Sequence, residues 1–123
     1  MSDQISLFPP YPGPTMPPLP PPFIPTVKEE PLPKDQQDIL NTAGGSSWVM
    51  NRLWHVAQMN QWYMNEIRQE NAAKVQMYMA AYQAWAYNAQ LYASCRPPQP
   101  IPAPPAPPAL QDIVPLPASH WFA

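Results

Sequence analysis

Residues 48–95, WVMNRLWHVAQMNQWYMNEIRQENAAKVQMYMAAYQAWAYNAQLYASC, decide how this chain folds. They form its long proline-free stretch: Pro33 is the last proline before them and Pro97 the first after. They also carry four of the 5 tryptophans and five of the 7 methionines. Val49, Leu53, Val56, Asn60, Tyr63, Ile67, Asn71, Val75, Tyr78, Tyr82, Trp85, Ala89 and Tyr92 follow one another at threes and fours, the spacing of one helix face. Two consecutive fours link Ile67, Asn71 and Val75. That stutter brings the average near 3.6 residues per turn and predicts a straighter helix than a long coiled coil. Asn60 and Asn71 interrupt the apolar seam, as polar residues that fix register do in coiled coils.

The boundaries are readable. Asp35 to Asn41 predicts one or two helical turns, and Gly44-Gly45 a hinge. Ser46 or Ser47 suits an N-cap, with no Glu or Gln three residues on to complete a capping box. Arg96 suits the negative end of the macrodipole. A helix of about 48 residues is about 72 Å long. The polar patch from Asn65 to Asn71 is where a hairpin would turn, but it has no Gly or Pro, so a continuous helix is expected.

The stripe is too large to leave wet. Ten large side chains kept in water forgo roughly 15–30 kcal/mol at about 1.5–3 each. Trp48, Met50, Trp54, Met59, Trp62 and Met64 widen the apolar face of the first half. The second half is apolar almost all round, and its alanines allow close approach of another backbone. The partner-binding residues expected from this are Val49, Leu53, Val56, Tyr63, Ile67, Val75, Tyr78, Tyr82, Trp85 and Tyr92.

Outside this stretch proline dominates. There are 22 prolines in 123 residues, against a usual share of about 5%. Proline fixes φ and removes the backbone donor, which predicts disordered or polyproline II arms. The expected organisation is a proline-rich arm over 1–34, a short helical turn and hinge over 35–45, the long amphipathic helix over 46–96, and a proline-rich tail over 97–123. The fold class is therefore all-α and mostly disordered: one long helix completed in trans or as a coiled coil, with no globular domain of its own. Within the tail, residues 110–116 form a short apolar patch suited to docking on a partner. Trp121-Phe122 reads as a linear anchor or a frayed end.

Three short motifs lie in the first arm. Phe8-Pro9-Pro10-Tyr11-Pro12 resembles the FPxφP ligand of EVH1 domains, and Pro17-Pro18-Leu19-Pro20 resembles the PPLP ligand of one group of WW domains. Both modes dock a preformed polyproline ridge into an aromatic-lined groove. Val27-Lys28-Glu29-Glu30 resembles a SUMO acceptor site, with Lys28 as the acceptor and Glu30 offering a carboxylate to a basic patch; this resemblance implies a eukaryotic, nuclear setting.

Other chemistry finds no support. The net charge of −2 and six scattered basic residues give no footprint for nucleic acid. A single cysteine, Cys95, excludes an internal disulfide, and no Cys/His cluster suggests a metal. His55 reads as a packed or partly solvated side chain. With no phosphate loop and no paired carboxylates, neither catalysis nor a cofactor is expected. Val75 to Cys95 is uncharged but too rich in Gln and Asn for a membrane span, and Met1-Ser2-Asp3-Gln4 does not read as a signal peptide. The expectation is a non-enzymatic adaptor or accessory subunit of a nuclear or cytoplasmic complex, binding a protein partner through the helix. A homo-oligomeric coiled-coil scaffold ranks second and a membrane-surface helix third, because basic residues do not line a polar face.

Overall fold

The computed structural model describes residues 18–42 and 47–122. Three helices occur among them: α1, Lys34–Leu40; α2, Trp48–Ser94; and α3, Ala118–Trp121. No strand is present among the described residues, and one isolated parallel bridge joins Glu29 to Ile113. The organising element is α2, continuous over 47 residues and so about 70 Å long. Ser47 caps it: its Oγ accepts from Met50 N–H at 3.2 Å, satisfying one donor of the first turn. It stops where Cys95 turns extended (φ −65°, ψ 156°), and Pro97, which has no N–H to donate, could not carry the ladder further. Gln99 N–H then bonds back to Tyr92 O at 3.0 Å, and the chain reverses.

Residues 18–33 of the first proline-rich arm and the described part of the second lie along α2. The first runs antiparallel to it: Phe23 meets Tyr78, Glu29 meets Arg68, and Gln36 meets Asn60. The second runs the same way, with Pro102 at Trp85, Ala109 at Lys74, Gln111 at Asn71 and Leu116 at Asn60. The arms are thus parallel to each other. Where they touch, Ile113 N–H donates to Lys28 O at 2.8 Å and Glu30 N–H to Ile113 O at 2.9 Å. Lys28 N–H adds a bond of 2.9 Å to Asp112 Oδ1.

The burial pattern follows. Val56, Ala57, Asn60, Met64, Ile67, Asn71, Tyr78, Tyr82, Trp85 and Ala89 are the buried residues of α2. At 100° per residue they occupy one arc of about 100°. Leu19 and Ile101, one from each arm, pack on Tyr78, Tyr82, Trp85 and Ala89. Ile113 and Leu32 pack on Met64 and Ile67. This corrects the expectation that the arms leave the stripe to be covered in trans. The arms reach it because proline holds them extended, so little further ordering is needed when they lie down on the helix.

Proline-rich chain offers carbonyl acceptors and few donors, and α2 supplies what is missing. Asn60 Nδ2 donates to Leu116 O (3.0 Å) and to Gln36 Oε1 (3.1 Å), while its Oδ1 accepts from Leu116 N–H (2.9 Å) and Trp121 Nε1–H (3.0 Å). Asn71 clasps Gln111 in the same way: Nδ2 donates to its carbonyl at 2.9 Å and Oδ1 accepts from its N–H at 3.1 Å. Trp85 Nε1 donates to Pro102 O at 2.8 Å and Lys74 Nζ to Ala109 O at 3.0 Å. Among the described residues, every buried side-chain nitrogen or oxygen has a partner, as a stable interior requires.

Candidate interaction surface

The covered arc leaves the opposite side of α2 in solvent. Trp48 (69% exposed), Trp62 (57%), Met77 (74%), Tyr87 (64%) and Leu91 (47%) stand there. They fall within an arc of about 80°, roughly opposite the arms. Ala73, Ala80 and Ala84, all exposed, fill the spaces in the second half of this line, while Arg52, His55, Met59 and Glu66 stand along the first. Single exposed apolar residues are ordinary on protein surfaces; five large ones aligned on one helix face make a candidate interaction surface. From Val75 to Cys95 the chain carries no charged residue, so this part of the surface is electrically neutral.

One end of the line is held in place. The Arg52 guanidinium lies 4.6 Å from the Trp48 ring centre and 3.8 Å from that of Phe122, a double cation–π contact. His55 stands 5.8 Å from the Phe122 ring, and Trp121 packs edge-on to Tyr63. The Trp121-Phe122 end is therefore docked on its own chain, where the sequence left open an anchor or a fray.

The residues expected to meet a partner divide between two environments. Val56, Ile67, Tyr78, Tyr82 and Trp85 are buried, and Leu53, Tyr63 and Val75 half-buried. Val49 and Tyr92, near the two ends, are exposed. Most of that set is the interior of this chain, and the apolar surface left free is the other side of the helix. Sequence reasoning missed this outward line because it counted one stripe and assigned the remaining Trp and Met to its widening. The signal was there, in the separate spacing of Trp48, Trp62, Met77, Tyr87 and Leu91.

The motif residues are equally mixed. Phe8, Pro9, Tyr11, Pro12 and Pro17 lie outside the described residues. Pro18 and Pro20 are exposed, but Leu19 is half-buried on the Tyr78 cluster, so a WW-type reader would have to lift it off. Lys28 lies on the bridge between the arms, its Nζ 2.8 Å from Glu30 Oε1. The Glu30 carboxylate holds the Lys28 ammonium above its ordinary value of 10.5, by hydrogen bond first and by charge second. Glu29 is engaged elsewhere, 2.8 Å from Arg68 Nε. The Gly44-Gly45 hinge also falls outside the described residues.

No group of three or more His, Cys, Asp or Glu side chains suited to a metal ion occurs among the described residues. Within the same residues, no helix is long and apolar enough to cross a membrane.

No family model, curated protein or solved structure matches this chain.

Proposed function

We propose that this chain is a non-enzymatic protein-binding subunit of a nuclear or cytoplasmic complex: a rod braced by its own arms that offers the outward face of α2 to a protein partner. The observation that carries this is the division of α2 into two sides. One is packed, with Tyr78, Tyr82 and Trp85 covered and Asn60 and Asn71 bonded. The other leaves Trp48, Trp62, Met77, Tyr87 and Leu91 in water, and Trp and Tyr are the residue types that dominate interface energetics. The first arm adds short docking sequences, the EVH1-like and WW-like ligands. Lys28 is the SUMO-like acceptor, held in extended chain with its ammonium in solvent.

A photo-cross-linking residue placed at Met77 or Tyr87 in cells tests this. Adducts to a protein are expected from both positions and not from a control at Lys34. Equal labelling from all three, or none from Met77 and Tyr87, overturns it. Partnership with another copy of the chain is favoured by one specific observation, the seven-residue spacing of the outward line.

A further inference from the structure

The outward line has an order of its own. From Trp48 to Glu66, and again from Ala73 to Leu91, it advances in steps of four, three, four, three, four. That is the seven-residue period of helices that wrap around each other. The covered side keeps a different period, with buried residues recurring every eleven at Val56, Ile67, Tyr78 and Ala89. The two sides of one helix are therefore built for different neighbours: extended chain on one, another helix on the other.

We propose that the second helix is α2 of another copy, running antiparallel, with the two-fold axis between Gln69 and Glu70. This deepens the reading of the outward face as the interaction surface and rests on it. Reversing one copy about that point lays the first half of the line on the second half, step for step. Bulk then meets small: His55 faces Ala84, Met59 faces Ala80, and Glu66 faces Ala73. Trp48 faces Leu91, Trp62 faces Met77, and Arg52 faces Tyr87 at the edge of the pair, where Phe122 already rests beside Arg52 and His55. A parallel pair would instead stack Trp48 on Trp48 and His55 on His55, while Ala80 and Ala84 met their own copies across a gap. Overpacking at one end and voids at the other are both destabilising. A parallel pair would also set Glu66 against Glu66, whereas the antiparallel pair keeps the two about 10 Å apart along the axis.

The area agrees with a stable pair. Burying an aromatic side chain removes about 150–250 Å², so the exposed parts of Trp48, Trp62 and Tyr87 supply on the order of 300–450 Å² per copy. Met77, Leu91, Met59 and the alanines bring this toward the ~800 Å² per partner of a standard interface. No partner of opposite charge is needed, since the second half of the line is neutral.

Sedimentation equilibrium of the purified full chain at tens of micromolar should give twice the 13.9 kDa of one copy. Orientation is read from cysteines in a Cys95→Ser background. Chains carrying His55→Cys, mixed with chains carrying Ala84→Cys, should form a disulfide-linked heterodimer, and neither should cross-link alone. Met77→Glu with Ala84→Glu should weaken dimerisation at least tenfold while leaving the helicity of the folded chain unchanged, and the melting temperature should lose its dependence on protein concentration. A monomer at 100 micromolar, or an Ala84→Cys homodimer, overturns the proposal. If the chain is monomeric but Met77 and Tyr87 still cross-link to another protein, only the self-pairing falls. A dimer indifferent to both glutamates pairs through another surface and also overturns the proposal.

Discussion

Asn60 shows how much a single polar side chain holds here. It is fully buried, and its carboxamide joins α1, α2, the second arm and Trp121 through four hydrogen bonds. Asn60→Ala strips partners from the Leu116 peptide group, the Trp121 indole and the Gln36 amide together. Buried groups left unsatisfied cost about 1–3 kcal/mol each; water recovers some of this, so urea unfolding should show a loss of about 3 kcal/mol. Asn71→Ala removes two bonds to one residue at a slightly more open site, and should cost about 1–2 kcal/mol. The sequence marked both positions as register-setting interruptions of an apolar seam, and they are buried on that seam. It could not say what they hold. Periodicity places a residue on a face but does not identify the chain lying across it.

At the scale of elements, α2 was readable almost to the residue, from Ser47 as cap to Pro97 as stop, because proline and a serine cap act locally. The course of the arms was not. Polyproline sequence looks the same whether solvated or laid on a surface, and the contacts that decide are distant in sequence, such as Leu116 with Asn60. The arms can be tested directly. The backbone N–H groups of Phe23, Lys28, Glu30, Gln111, Ile113 and Leu116 all donate to protein acceptors. Hydrogen exchange by NMR should find these six protected, whereas solvated arms would exchange at the rate of an unfolded peptide. Ile113 is buried between the arms and Met64 and Ile67. Ile113→Ala should therefore destabilise by about 2–4 kcal/mol, seen as an earlier thermal transition in circular dichroism.

The described residues form a braced rod. A helix about 70 Å long implies a radius of gyration near 20 Å, against about 14 Å for a compact domain of this length. Small-angle scattering distinguishes the two, and an antiparallel pair in register barely changes the length while doubling the mass. The apolar surface left free is defined only at this scale. It is what the arms leave uncovered, so it could be located only once their path was known.

The two asparagine clasps bring a constraint that has nothing to do with binding. Asn60 and Asn71 are eleven residues apart on the helix, and the residues they grip, Leu116 and Gln111, are five apart on the arm. Eleven helical steps advance about 16.5 Å, and five extended steps about 15.5 Å. The two scales coincide like marks on a vernier. Deleting one arm residue between the clasps shifts them by about 3 Å, so only one asparagine could then find its peptide group. That segment of the arm should tolerate exchange of side chains far better than any change in its length.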